Sequence, residues 1–328
     1  MPNEKNHKSH KEDIKFLLKK LFPDLFYRRK ITHYERIFKS AGDPAKYTKD
    51  KYRKMFNIDL NLDNPQTFYE KINFLKLFYD ENEPEKLVDK TIVKAYLSSL
   101  GFEKHLAKMI ASFNNLEDFK SFLKTDEAKH RPFVVKLNHS SGDVFFFNDG
   151  KWRNKTGEKI NSKLVFAAIR NMLKFNYSHV DFQRVYENVK PSVLIEEYLP
   201  SPNQKGMDEF KLFCNYGDVR LINVVFGRQA GAQKAEAFTD KNLKIIPTKQ
   251  SYNLLNQEEI YKPLCFEEMV DFCKKTISDR PMVRVDFMTD GTNFYFCEFT
   301  FYDCAGFNLF YPLEYNKIIG DLFTLKRQ

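Results

Sequence analysis

The sequence predicts a mixed α/β (α+β) protein, with a helical N-terminal region followed by antiparallel sheet. Three observations predict it: apolar residues at helical spacing in the first hundred positions, paired apolar segments joined by turn residues thereafter, and a long hairpin near the C-terminus. The core is expected to be Phe packed on aliphatics, because the chain carries 33 Phe against one Trp, with 42% apolar residues overall. A chain of 328 residues can bury such a core in two domains or in one large domain with lobes.

From Glu12 to Phe38, Ile14, Leu17, Leu18, Leu21, Leu25 and Phe26 recur at helical spacing with Pro23 interrupting, which reads as a basic amphipathic entry of one or two helices. Over 65–79, Phe68, Ile72, Leu75 and Phe78 share one helical face, and Thr67 with Glu70 has the spacing of a capping box. A further helix is expected over 85–99, ending near Gly101. After Pro132 the period becomes that of strands: FVVKL, the loop NHSSGD, VFFFN and an Asp149-Gly150 turn. Residues 161–175 read as a helix, and PSVLIEEYL as a buried strand ending in paired acids. FKLFCNY and VRLINVVFG make a hairpin turning at Gly217-Asp218. The stretch 228–262 is polar and carries few periodic signals, 266–277 is helical, and MVRVDFM, TDGTN and FYFCEFT form the last hairpin.

The net charge of +9 is front-loaded, with Lys5, Lys8, Lys11, Lys15, Lys19, Lys20, Arg28, Arg29 and Lys30 in the first thirty positions. Two readings stand: a solvated Lys-rich terminus, or a patch for nucleic acid, a membrane surface or an acidic polysaccharide. The five cysteines form no CxxC pair and have no His at zinc-finger spacing, so they read as reduced core thiols. The N-terminus lacks an apolar signal segment, and no apolar run approaches the roughly 20 residues that span a bilayer. A cytoplasmic protein, at most peripheral to a membrane, is expected.

Three constellations carry chemistry. In the last hairpin Arg284, Asp286 and Glu298 interrupt strands of Val, Phe, Met, Tyr and Cys, and charges there need partners. Arg284 and Asp286 share a face by alternation. Glu298 joins them if a three-residue loop sets the register, and takes the other face if Asp290-Gly291 is a tight two-residue turn. With the longer loop, Asp286 and Glu298 become diagonal neighbours suited to a hard cation, with Arg284 beside them for a phosphate or acyl-phosphate oxygen. A closed salt-bridge network of the same residues is the alternative. The second constellation is Lys136, followed by small polar residues whose amides suit phosphate oxygens. The third is Glu196-Glu197-Tyr198-Leu199 at a strand end, where backbone groups and a carboxylate suit an adenine edge and ribose hydroxyls. A solvated Lys136 and an ordinary strand exit are the plain readings of these two.

The segments NPQTFYEKINFLKLFY, Leu87-Val88-Asp89-Lys90 with Lys94, FVVKLNHSSG, PSVLIEEYL, FKLFCNYGDVR, VRVDF and CEFTFYDCAGFNLFYPLEYNKIIG together resemble the TupA-like branch of the ATP-grasp superfamily, from about Asn64 to Phe323. That branch is associated with teichuronopeptide, capsular and other surface polysaccharides. The resemblance implies an ATP-grasp fold with a basic helical segment (1–60), a helical region (61–128), a nucleotide-binding lid (129–198) and a larger C-terminal lobe with the metal site (199–328). It implies ATP and Mg2+ as cofactors. Lys136, with His139, Ser140, Ser141 and Gly142 of the loop, would hold phosphates. Glu196, Glu197, Tyr198 and Leu199 would meet adenine, and Lys90 or Lys94 would be a further nucleotide contact. Asp286, Glu298 and Thr300 would hold the metal, with Thr300 where many relatives have Asn and Asn308 as the competing donor. Arg284 and Lys211 would be catalytic, stabilising the transferring phosphoryl group and the acyl phosphate. The loop departs from its relatives in having a single glycine and the acidic Asp143.

The implied activity is a carboxylate-amine ligase acting through an acyl phosphate, with a carboxylate substrate and an amine or sugar acceptor, such as a polysaccharide precursor, as partners. Peripheral contact with a membrane or anionic polymer through the basic terminus is also implied, and no specific nucleic acid. The rivals are a polysaccharide-assembly glycosyltransferase using a nucleotide-sugar and a non-catalytic module that binds an anionic polymer.

Overall fold

The computed structural model describes residues 18–199, 207–227 and 234–326. The expectations for Ile14, Leu17, the lysines before Leu18 and the first residues of 228–262 lie outside them. In chain order the helices are α1 (Pro23–Ser40), α2 (Pro44–Phe56), α3 (Phe68–Phe78), α4 (Glu85–Val88), α5 (Ile92–Ser99), α6 (Leu116–Phe122), α7 (Asp126–His130), α8 (Ser162–Met172), α9 (Phe266–Thr276) and α10 (Tyr315–Gly320). The strands are β1 (Met109–Phe113), β2 (Phe133–Leu137), β3 (Val144–Asn148), β4 (Lys151–Asn154), β5 (Lys159–Ile160), β6 (Val193–Glu197), β7 (Asp208–Asn215), β8 (Asp218–Phe226), β9 (Ala235–Thr239), β10 (Ile245–Ile246), β11 (Asn253–Leu254), β12 (Val283–Thr289) and β13 (Phe294–Thr300). This is the mixed helix and antiparallel-sheet architecture that the sequence predicts. Two units interleave along the chain: Met1–Ser40, Lys108–His179 and Val189–Tyr198 form one, and Ala41–Ala107, Val180–Asn188 and Leu199–Gln328 the other.

The first unit is an antiparallel sheet in the order β1-β6-β2-β3-β4-β5. Phe133, Val135 and Leu137 of β2 are buried on one face, where Phe133 meets Phe122, Phe147 and Trp152, and Phe119 reaches Trp152 and Phe166. That aromatic layer seats α6 and α8, and alternation sends Lys136 to the opposite face. The Asp149-Gly150 turn forms as expected, both residues having positive φ (48° and 72°) between the paired Asn148 and Lys151. Pro23 opens α1, since its fixed φ and missing N–H suit a first helical position. Arg170 of α8 donates twice to Asp24 of that first turn, at 2.9 and 2.7 Å.

The second unit is a sheet in the order β10-β9-β8-β7-β12-β13, with β11 parallel to β9. Phe287, Phe294, Phe296 and Phe299 gather around Phe272 of α9 and bury one face. The predicted capping box closes α3: Thr67 Oγ1 accepts from the Glu70 amide at 3.4 Å, and Glu70 accepts from the Thr67 amide at 2.8 Å.

The remaining expectations are corrected in detail. The helix predicted over 85–99 is two helices, because Asp89 Oδ1 accepts from the Thr91 amide and hydroxyl at 2.8 and 2.6 Å, a local turn that competes with helix continuation. The β7–β8 turn sits one residue earlier than predicted, at Tyr216-Gly217, with Asn215 paired to Asp218. Within the polar stretch, Glu236–Thr239 of β9 are all buried, so no apolar alternation marked them as a strand. Cys214, Cys265 and Cys273 are buried thiols as expected, but Cys297 is half-buried and Cys304 exposed. Among the described residues no helix is long and apolar enough to cross a membrane.

Gly217 is required on two counts: φ is +80°, and an added Cβ would stand 3.1 Å from the Cα atoms of Lys274 and Ser278. Gly217→Ala is expected to lower stability by about 2 kcal/mol or more, from left-handed strain and crowding against backbone. Urea unfolding with an unchanged midpoint would refute that account.

Candidate functional site

The last hairpin reaches the predicted face by an unpredicted route. Thr289 pairs with Phe294 across a four-residue loop, a register that by itself would set Glu298 opposite Val285, on the buried face. A register shift between Asp286 and Phe287 absorbs Cys297 as a bulge, and Glu298 is thereby opposite Asp286. The two carboxylates are direct cross-strand partners rather than diagonal neighbours, which brings their Cβ atoms to about 5 Å.

Register extends this pair into a row. Asp286 pairs with Lys211 of β7, and Lys211 with Asn223 of β8, so four adjacent strands place Asn223, Lys211, Asp286 and Glu298 side by side on one face. One step along, Arg284 pairs with Thr300. Arg284 grips Asp286 with two parallel bonds, Nε to Oδ1 at 2.6 Å and Nη2 to Oδ2 at 2.7 Å, and also donates to Asp303 and, at 3.2 Å, to Thr300 Oγ1. Burial pulls the guanidinium's pKa down, but Asp286 and Asp303 outweigh it and hold it well above its ordinary value. Lys90 Nζ stands 3.4 Å from Glu298, and Lys211 Nζ 3.7 Å from Glu209.

Asp303, which the sequence did not single out, is held from behind. The Tyr69 hydroxyl donates to its Oδ2 at 2.6 Å, and Gln250 Nε2 donates to Tyr69 at 2.5 Å. Glu236, 2% exposed, fixes that end by accepting the amides of Gln250, Ser251 and Tyr252 at 2.9, 2.8 and 3.2 Å. Asp303 opens a left-handed turn in which Cys304, Ala305 and Gly306 all have positive φ, and Gly306 lies so close to Asn73 that a Cβ would be 2.4 Å from its Oδ1. Asn308 follows the turn and is used locally, Nδ2 donating to Cys304 Sγ at 3.6 Å and Oδ1 accepting from the Leu309 amide at 2.9 Å.

In the first unit, Glu196 pairs with Val134 and Leu194 with Lys136, so Lys136 and Glu196 are diagonal neighbours on one face and form an ion pair of 2.5 Å. Glu197 instead binds the start of its own sheet edge, its carboxylate accepting from the Lys108 amide at 2.7 Å and its amide donating to the Lys108 carbonyl at 3.0 Å. Tyr198 is exposed, its ring edge-on to Phe146, and Leu199 is half-buried. In the loop, His139 is 1% exposed with Nδ1 3.0 Å from Asn138 Oδ1 and Nε2 3.1 Å from the Met172 carbonyl. His139 thus anchors the loop inward, as Ser140 is also buried, while Ser141 and Gly142 are exposed. Lys94 is set apart from Lys90, its ammonium donating to the Ala107 carbonyl at 2.5 Å.

Among the described residues no group of three or more His, Cys, Asp or Glu side chains is disposed to hold a metal. The donor set of Asp286 and Glu298 still fits magnesium, a hard cation commonly held by one or two carboxylates with water and phosphate completing an octahedron.

A family model described as TupA-like ATPgrasp matches residues 70–324. No curated protein matches the chain. Among solved structures, the chain is similar to the ATP-grasp ligase PsnB complexed with minimal precursor, at 14% identity and a TM-score of 0.36 over 74% of this chain and 61% of that one. It is similar to a D-alanine-D-alanine ligase from Helicobacter pylori at 17% identity and a TM-score of 0.40, over 80% and 68% of the two chains. It is also similar to the D-cycloserine synthetase DcsG, at 13% identity and a TM-score of 0.32, over 71% and 70%. The chain spans about three fifths of the length of PsnB.

Behind the left-handed turn lies Lys76, 0% exposed, donating to the Ala305 carbonyl at 2.7 Å with Phe307 4.6 Å from its ammonium. Burial lowers its pKa to about 7, Asp181 opposing and Lys51 adding to the shift. The unfolded chain therefore binds more protons here between about pH 7 and the ordinary lysine range, so this residue makes stability rise with pH in that window. Lys76→Met is expected to gain stability relative to the parent near pH 7 and to lose that advantage towards pH 10, at up to about 1.4 kcal/mol per pH unit. Urea unfolding at several pH values measures it, and a pH-independent difference between the two proteins would contradict the shifted lysine.

Proposed function

Because this chain belongs to the TupA-like ATP-grasp family, we propose that it is an ATP- and magnesium-dependent ligase joining a carboxylate to an amine or similar nucleophile. The observation that carries the reading is the row Asn223, Lys211, Asp286 and Glu298, with Arg284 and Thr300 one step along. Cations set beside oxygen donors on a fixed sheet face suit phosphoryl transfer, which is mostly positioning and electrostatics. In this reading the enzyme works in the cytoplasm on a bacterial surface polysaccharide or its precursor.

Lys136 and the amides of Ser140, Ser141 and Gly142 take the phosphates. Glu196, with the segment through Leu199, takes the adenine end, and His139 acts through the loop that it anchors. Asp286, Glu298 and the Thr300 hydroxyl hold magnesium, Asn308 being used within its own turn. Magnesium, when bound, neutralises developing charge on the phosphate oxygens. Lys90 lies against Glu298, its ammonium 3.4 Å from the carboxylate, and so stands at the edge of this donor set.

Transfer of the γ-phosphoryl group to the substrate carboxylate gives an acyl phosphate and ADP. The amine then attacks the acyl carbon, a C–N bond forms, phosphate leaves with the bonding pair, and the nitrogen releases a proton. Arg284 stays cationic through these steps and stabilises the transferring group, and Lys211 meets the acyl phosphate. Exposed Leu21 and Phe22 beside Lys20 and Arg28 support peripheral contact with an anionic surface.

Calorimetric titration of ATP, and separately of UDP-sugars, with and without magnesium tests the reading. Magnesium-dependent ATP binding is expected, and UDP-sugar binding with no response to ATP would replace a ligase by a glycosyltransferase. Glu298→Gln should cut ATP turnover roughly a hundredfold or more while leaving the unfolding midpoint in place, and Asp286→Asn should cut it as much while also lowering the midpoint, because it removes the bidentate partner of buried Arg284. Near-normal turnover in either variant would remove the metal assignment.

A further inference from the structure

A guanidinium carries five N–H groups, and at Arg284 four are engaged among the described residues. Asp286 takes Nε and one hydrogen of Nη2, Thr300 Oγ1 takes the other hydrogen of Nη2, and Asp303 takes one of Nη1. The fifth, also on Nη1, is the one a phosphoryl oxygen can accept without breaking a bond already made. Its direction follows from the plane of the guanidinium. The two parallel bonds to Asp286 leave that plane able to bend about the line of contact, and the bond from Nη1 to Asp303 is the third point that fixes it. Asp303 is also the less encumbered anchor, because Asp286 is shared with magnesium in the ligase reading.

What aims Asp303 is Tyr69. An aspartate carboxylate turns easily about its last side-chain torsion, and Asp303 lies beyond the last paired residue of β13, at the start of the left-handed turn. Among the described residues its carboxylate has two hydrogen-bond partners: Arg284 on Oδ1 and the Tyr69 hydroxyl, at 2.6 Å, on Oδ2. With Oδ2 held by Tyr69, Oδ1 faces Nη1. The phenol is itself set, since Gln250 Nε2 donates to its oxygen at 2.5 Å and so directs the hydroxyl hydrogen to Asp303. Burial, with Asp303 adding to it, holds the Tyr69 pKa well above its ordinary value, and the hydroxyl stays a donor.

We infer that Tyr69 is a positioning residue for phosphoryl transfer: by holding Asp303 Oδ2, its hydroxyl keeps Arg284 aimed at the transferring group. This rests on the ligase reading. A purely structural bond and a positioning bond differ in what they change. Loss of the first lowers stability and weakens every ligand alike, whereas loss of the second weakens binding of the transferring group and leaves ground-state nucleotide binding in place.

Titration calorimetry of the full chain with magnesium and ADP, repeated with fluoroaluminate as a planar stand-in for the transferring phosphoryl group, separates the two. The parent should bind magnesium-ADP, and fluoroaluminate should tighten that binding. Tyr69→Phe keeps the ring against Phe310, 5.7 Å away, and should fold, with a lowered unfolding midpoint. It should bind magnesium-ADP within about twofold of the parent and lose about tenfold of the tightening. Asp303→Asn should lose at least as much, and the double variant no more than Asp303→Asn alone, as for two residues acting as one unit. The comparison of the parent with Tyr69→Phe decides the matter even if Asp303→Asn does not fold. A parent that fails to bind magnesium-ADP overturns the ligase reading and this inference with it. Where the parent does bind it, three results overturn the inference alone: no tightening by fluoroaluminate, equal tightening in Tyr69→Phe, or a loss in Tyr69→Phe that magnesium-ADP shares in full.

Discussion

The second unit is organised around one charge, the Arg284 guanidinium. A cation on a strand whose side chain is 13% exposed has to be answered at close range, because burial strips most of its hydration. Asp286 supplies half of the answer from two residues along the same strand, at bidentate geometry. Asp303 supplies the other half from beyond the hairpin, and this requirement reaches far into the structure. Asp303 is fixed by Tyr69 of α3, Tyr69 receives Gln250, and the Gln250 backbone is held by buried Glu236. A helix, a left-handed turn and a loop from the polar stretch all converge on the carboxylate that completes the pair.

What the sequence made legible follows from where local rules decide. The β2–β3 hairpin, the capping box of α3 and the turn at Asp149-Gly150 depend on residues close in the chain, and they stand where they were expected. Arg284, Asp286 and Glu298 were legible as charges out of place among Val and Phe. Their geometry was not, because the four-residue loop gives the wrong face and nothing in FYFCEFT marks Cys297 as the bulged residue. Asp303 was hidden for a related reason: its neighbours in space are 19 residues or more away, and three consecutive positive-φ residues carry the chain out of the strand beside it. Glu236 was invisible because its strand is buried throughout, which erases the period-two pattern.

The same polar chemistry recurs in the first unit at smaller scale. Lys136 and Glu196 were separate signals, sixty residues apart in a lysine-bearing strand and an acidic strand end. Antiparallel register made them diagonal neighbours, and their ion pair follows from the requirement that a charge on a half-buried face be answered. His139 shows the reverse outcome. The family resemblance sets it among the phosphate contacts, while a loop histidine by itself reads as a hydrogen-bonded structural residue, and its burial between the Asn138 and Met172 oxygens makes it the loop's anchor.

On the sheet face of the second unit, Asp286 and Asp303 share Arg284, Glu298 stands against Lys90, and Glu209 against Lys211. In the first unit Glu196 is matched with Lys136. Removing one partner from such a half-buried pair leaves the other charge unanswered and costs about 3–5 kcal/mol, more than the intact pair itself contributes, so each carboxylate and its cation are constrained together and neither can be exchanged singly without disturbing the strand that carries its partner.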